Sequence, residues 1–219
     1  MTQQKITRRP QAILFDWDNT LVDSWVAIAD ALNLTRSTYG LETWTVDEAR
    51  VKSAHALRDS FPEWFGGEWE KARDIFYARY NAVHAQLVRP MTGVAELLAF
   101  LHEKKIPLGI ISTKKNILLR GEVKNLGWDL YFQAIVGSMD APKDKPDPAP
   151  VMMALSQMGI EWNSSCVWFV GDSHTDVECA LRSGCIPILI GSKEEAVRLG
   201  IKGSFSDCIT MKNTLYSCS

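Results

Sequence analysis

No apolar run in this 219-residue chain approaches the length needed to cross a bilayer, which excludes a helical membrane span. The N-terminus, Met1 to Pro10, lacks the apolar core of a secretory signal; it is polar and basic and reads as a frayed tail. Excess charge is lacking too. With 24 basic and 26 acidic side chains the formal net charge is −2, which argues against a general binder of nucleic acid or of membrane surfaces. The five cysteines, Cys166, Cys179, Cys185, Cys208 and Cys218, are odd in number and follow no metal-ligand spacing. Buried free thiols in a reducing, cytoplasmic setting are therefore expected. There is no internal repeat and no low-complexity tract.

What is present is a globular composition, 46% hydrophobic and 23% charged, in a chain long enough for one good core and a smaller second domain. Ala12-Ile13-Leu14-Phe15 has no polar alternation and reads as a strand buried on both faces. Residues 23–88 then read as all-helical. Val22–Tyr39, Val46–Leu57 and Glu68–Val88 carry apolar positions at three- and four-residue steps, with a turn at Phe61–Gly67. From Pro90 the texture changes to strand–helix alternation. Strands are expected at Leu108–Ile111, Ala134–Val136, Val167–Val170 and Pro187–Ile190, with an edge strand at Phe205–Ile209. Helices are expected at Val94–Lys104, Asn116–Leu126, Pro148–Met158, Thr175–Ser183 and Glu194–Leu199.

This alternation predicts an α/β fold: a doubly wound, Rossmann-like parallel sheet. The connection from Thr20 to Leu108 is too long for one crossover. Residues 1–22 and 89–219 are thus expected to form the α/β core, and 23–88 a helical lobe inserted after the first strand and placed as a lid would be.

The first strand ends at Asp16-Trp17-Asp18-Asn19-Thr20. Two carboxylates so close at an apolar strand end repel, so a cation or a shared proton is expected between them. In a parallel sheet all C-terminal strand ends lie along one edge, where ligands bind. Asp16, Ser112 and Asp172 each follow a buried strand and so converge there. Asp16, Asp18 and Asp172 form a hard-oxygen cluster suited to Mg²⁺, with no Cys or His to suggest zinc. The loop at Asp140–Pro150 offers Lys143 and Lys145 to a phosphoryl group, and Ser112 a hydroxyl donor.

Asp16-Trp17-Asp18-Asn19-Thr20, Ser112, Lys145-Pro146 and Gly171-Asp172-Ser173-His174-Thr175-Asp176 resemble, in order and spacing, the four motifs of the haloacid dehalogenase-like superfamily. Within it the chain resembles the phosphoglycolate phosphatase-like branch, with a helical cap after the first strand. The resemblance covers Gln11 to about Ile209. It implies that Asp16 attacks phosphorus and becomes a phospho-aspartate, and that Asp18 protonates the leaving alkoxide and then activates water. It implies Mg²⁺ held by Asp16, Asp172 and the backbone carbonyl of Asp18. Ser112 and Lys145 would stabilise the transferring group, and Asp176 would orient Lys145 or metal-bound water. Thr113 and Thr20 would support the phosphate site and the turn. Asn19 stands where glycine is commonest in the family; asparagine tolerates a left-handed backbone, so the turn is expected to survive.

Plainer readings stand beside these. Asp-x-Asp can cap a helix, Ser112-Thr113 can cap the next one, and lysines in a Pro-rich loop are usually solvated. Trp25, Trp44, Trp64 and Trp69 read as lobe core, His174 as solvent-facing, and Lys114 and Lys115 as helix-flanking charges. His55 and Arg58 read first as surface; they are the leading candidates for substrate contact from the lid. The expected activity is Mg²⁺-dependent hydrolysis of a small soluble phosphomonoester, phosphoglycolate-like or a sugar phosphate. A phosphotransferase or phosphomutase on the same core is the alternative, ahead of a dehalogenase or a non-catalytic binding module. Neither substrate identity nor oligomeric state, monomer or homodimer, is legible. The reading requires the three carboxylates to share one pocket with Ser112 and Lys145 facing it, and no lysine bridging Asp16 where the ion belongs.

Overall fold

The computed structural model describes residues 9–53, 57–162 and 166–217. Contacts divide the chain into two units, Asp23–Arg89 and the remainder. The larger unit is built on a parallel sheet of six strands: β1 (Ala12–Phe15), β4 (Leu108–Lys115), β5 (Ala134–Ser138), β6 (Val167–Gly171), β7 (Ile186–Ile190) and β8 (Gly203–Phe205). Their order is β5-β4-β1-β6-β7-β8, which puts β1 in the middle. Two further strands, β2 (Val22–Asp23) and β3 (Arg89–Pro90), pair with each other.

Every β1 residue is fully buried, as an uninterrupted apolar run in a central strand demands. Helices α7 (Ala149–Gln157) and α8 (His174–Arg182) cover one face of the sheet. There Leu14 and Phe169 meet Val151, Leu155, Cys179 and Ala180. Helices α5 (Val94–Glu103), α6 (Asn116–Asn125), α9 (Lys193–Arg198) and α10 (Cys208–Ser217) complete this unit, with α5 packed on α10. The architecture is the expected doubly wound α/β core. Cys179, Cys185 and Cys208 are free and buried and Cys166 is half-buried, while Cys218 and most of the N-terminal tail lie outside the described residues.

One boundary differs. Phe205–Ile209 is not a strand throughout: β8 stops at Phe205 and α10 begins at Cys208. Asp207 Oδ1 accepts the Thr210 N–H at 2.7 Å and so starts the helix, a capping signal that outranks the β-like apolar residues around it.

The unit Asp23–Arg89 consists of α1 (Trp25–Thr38), α2 (Val46–Lys52), α3 (Leu57–Phe65) and α4 (Trp69–Leu87), with α1 packed along α4. The expected turn at Phe61–Gly67 is instead the end of α3, which runs through Pro62 to Phe65 before a 3-10 turn at Gly66–Glu68. A proline inside a helix costs about 3 kcal/mol. Helical spacing sets Phe61 and Phe65 on one face, their rings 5.2 Å apart and Phe76 5.7 Å from Phe61, and burying two such rings is worth roughly as much. The four lobe tryptophans are only half-buried; the core here is Phe61, Phe65, Phe76, Tyr80, Leu32 and small alanines. Among the described residues no helix is long and apolar enough to cross a membrane.

Candidate active site

Register alone brings the first candidates together. Phe15 pairs with Ile110 on one side and Val170 on the other. Asp16 and Asp172, which follow β1 and β6, and Ser112, within the longer β4, therefore lie at the same edge of three adjacent strands. The Asp16 N–H still donates to Val170 O, at 2.8 Å, so the carboxylate is held by the sheet. Beyond it the chain turns sharply: Leu21 and Val22 N–H both donate back to Trp17 O, and Asn19 N–H donates to Val22 O. Asn19 sits at φ 64°, the left-handed backbone expected for an asparagine in a glycine's place.

Lys145 comes from the loop between β5 and α7. That loop is pinned at its start by Asp140, which accepts from Gly137 N–H, Asn116 Nδ2 and Arg120 Nη2, each at 2.8 Å. At its far end Asp147 Oδ1 accepts the Ala149 N–H. Between them the Lys145–Pro146 peptide is cis. The Lys145 side chain is buried, and its Nζ lies 2.5 Å from Asp16 Oδ1 and 2.6 Å from Asp176 Oδ1. Lys143 stays exposed and reaches only Asp147, at 3.6 Å.

Asp176 is also fixed from behind. Ser173 caps α8, and Asp176 Oδ2 accepts both its N–H and its hydroxyl, a reciprocal capping box. The carboxylate lies directly over Gly171: a Cβ there would come within 2.4 Å of Asp176 Cβ. Only glycine at the end of β6 allows Asp176 this close.

Carboxylate oxygens of Asp16, Asp172 and Asp176 lie within 4.8 Å of one another. Burial raises the Asp16 carboxyl well above its usual range, with Asp176 and Asp172 adding repulsion and Lys145 opposing them. The Asp172 carboxyl is pushed up to about 7, by burial first and then by Asp176. Burial disfavours the Lys145 ammonium, but Asp16 and Asp176 outweigh it and raise its pKa. The lysine that the sequence reading held incompatible with an ion at Asp16 is thus present. One ammonium among three carboxylates still leaves two negative charges in excess when all are ionised. An all-oxygen, over-acidic donor set fits a hard divalent cation.

The Asp18 side chain is not one of these three, although its charge is near enough to Asp172 to add to the repulsion there, and Asp176 completes the group. The Asp18 carboxylate is held instead by Lys114, whose Nζ lies 2.7 Å from its Oδ1 and 2.6 Å from Glu122 Oε2. Lys114 is thus no helix-flanking charge: its side chain is only 7% exposed. Two local features accompany this contact. Strand β4 continues past its apolar run to Lys115, with an irregularity between Ile111 and Lys115, and so carries Lys114 as part of the strand. Glu122 sits in the apolar stripe of α6 between Leu119 and Val123, a carboxylate where none should be unpartnered.

Ser112 is buried, and its Oγ accepts the Lys114 N–H at 3.1 Å. Thr20 is fully buried, and its hydroxyl makes no hydrogen bond among the described residues. Thr113 and His174 are exposed. His55 lies outside the described residues, and Arg58 falls in α3 with its side chain outside them.

The profile described as haloacid dehalogenase-like hydrolase matches residues 13–190. The N-acetylmuramic acid 6-phosphate phosphatase of Pseudomonas aeruginosa is 33% identical over 202 residues, covering 88% of this chain and 83% of that one. The phosphoglycolate phosphatase of Chromobacterium violaceum is 32% identical over 192 residues, covering 83% and 85%. The solved structure of a haloacid dehalogenase-superfamily hydrolase from Ehrlichia chaffeensis superposes with a TM-score of 0.68 at 27% identity, over 96% of this chain and 98% of its own.

Proposed function

The chain belongs to the haloacid dehalogenase-like hydrolases, and from that premise we propose that it is a phosphatase cleaving small phosphomonoesters through an aspartyl-phosphate. The observation that carries this is the cluster of Asp16, Asp172 and Asp176 carboxylates at the central strand end, which keeps an excess of negative charge even with the Lys145 ammonium against two of them. Asp16 attacks phosphorus along the line of the departing ester oxygen. Asp18 gives that oxygen a proton and then takes one from the water that cleaves the acyl phosphate. Lys145, held by Asp176, and Ser112 meet the charge on the transferring phosphoryl group. Asp16, Asp172 and the Asp18 carbonyl would hold Mg²⁺, which would supply charge neutralisation for the phosphate oxygens. Residues 1–22 and 89–219 serve as the catalytic domain and 23–88 as a helical cap. The division of the chain near Val22 and Pro90 supports that assignment.

Both relatives named above act on phosphate esters of hydroxy acids, one small and one a sugar acid, and a substrate of that class is favoured. Colorimetric phosphate release from a panel of such esters and of sugar phosphates, with Mg²⁺ and no acceptor, tests the hydrolase reading. Asp16→Asn is expected to abolish release while leaving the circular dichroism unchanged. Substantial residual turnover refutes the nucleophile. Phosphate released only when a second hydroxyl substrate is added points to a transferase, and turnover unaffected by EDTA refutes the magnesium assignment.

A further inference from the structure

Behind Asp18 lies a buried chain of polar contacts that the scheme above does not use. Lys114 Nζ bridges Asp18 Oδ1 and Glu122 Oε2, and Trp17 Nε1 donates to that same Glu122 oxygen at 2.6 Å. The Glu122 side chain is 1% exposed. Trp17, the residue between the two site carboxylates, is fully buried and meets Trp128 edge-on at 6.0 Å. The chain of contacts thus leaves the turn at Trp17 and returns to it at Asp18. Burying a lysine–glutamate pair is a poor way to stabilise a fold, because desolvation consumes most of the attraction. Its geometry has a clearer use. The Asp18 side chain is 29% exposed at a strand end and would otherwise sample several rotamers.

We propose that Lys114 and Glu122 are positioning residues that lock the Asp18 carboxyl in the orientation for proton transfer, with Trp17 fixing Glu122. The ammonium takes Oδ1, so Oδ2 is the oxygen that exchanges the proton. In the first half-reaction the bond from Asp16 to phosphorus forms as the ester P–O bond breaks, and the Asp18 proton moves to the departing oxygen. In the second, Asp18 takes a proton from water as water oxygen bonds to phosphorus and Asp16 leaves. This rests on the phosphatase reading and deepens it.

The test uses leaving groups. An aryl phosphate, p-nitrophenyl phosphate, needs no acid to expel its phenolate; an alkyl phosphate does. Lys114→Met takes the Lys114 ammonium away from buried Glu122 and risks misfolding, so the double variant Lys114→Met/Glu122→Gln, which removes both charges, is the main probe, with its fold checked by circular dichroism. The alkyl ester is whichever of phosphoglycolate and the sugar phosphates wild type hydrolyses fastest. In the double variant its turnover is expected to fall about 100-fold or more, within the range general acid–base catalysis supplies. The first step with the aryl ester should fall less than about 5-fold, because that step needs no acid. Nitrophenol then appears as a burst stoichiometric with enzyme while phosphate lags, the phosphoenzyme waiting for its base. An equal loss in the first step for both esters, or none for either, overturns the positioning role. If wild type releases no phosphate, or Asp16→Asn retains turnover, the phosphatase reading fails instead.

Discussion

Asp172→Asn should make the metal-free protein more stable while destroying its activity. The Asp172 carboxyl is pushed from 3.8 to about 7 by burial and then by Asp176. That gap of about three pH units, at about 1.4 kcal/mol each, means ionised Asp172 costs the native state roughly 4 kcal/mol above pH 7. The sign follows from proton linkage. Between pH 3.8 and about 7 the unfolded carboxyl has lost its proton and the native one has not, so the unfolded chain binds fewer protons and stability falls as pH rises. An amide carries no such charge. In EDTA at pH 8 the variant should gain about 2–4 kcal/mol, a melting rise of roughly 5–10 °C for a chain of this size. The gain should shrink to about 1 kcal/mol near pH 4.5 and vanish below the unfolded carboxyl's pKa. Adding Mg²⁺ at pH 8 should raise the wild-type melting temperature and leave the variant's nearly unchanged. Scanning calorimetry over this pH range, with and without Mg²⁺, reads all of it. A variant that melts at or below wild type in EDTA at pH 8, or a pH-independent gap, refutes the reasoning.

Gly171→Ala places a Cβ within 2.6 Å of Asp176 Oδ2, so the carboxylate must move and Lys145 lose a partner. A melting loss worth about 1–3 kcal/mol should accompany a fall in kcat larger than any change in KM, measured by phosphate release. Thr20→Val removes a buried hydroxyl that makes no hydrogen bond among the described residues. Melting should stay level or rise by the equivalent of up to about 2 kcal/mol, and a marked loss would show that the hydroxyl has a role after all.

The sheet was legible because each buried strand is an uninterrupted apolar run closed by a polar residue, and a parallel sheet sends every such closure to one edge. Asp16 and Asp172 followed from that rule, Ser112 only from the end of the apolar run since β4 goes on to Lys115, and the positive φ of Asn19 from the chemistry of its side chain. What was missed depended on tertiary partners. Lys114 is an ordinary strand-end lysine until Glu122, eight residues on, is seen buried beneath it. The Phe61–Phe65 helix carried a proline that only a packed aromatic face could offset. Choosing Lys145 over Lys143 rested on the motif with Pro146; the structure separates the two by burial.

Asp176 begins helix α8 with one oxygen and grips Lys145 with the other. A single side chain is therefore answerable to both the scaffold and the reaction. Substitutions there carry two penalties at once, so changes in chemical preference have freer scope at other positions, and this one acts as a fixed hinge-pin about which the rest of the catalytic edge can vary.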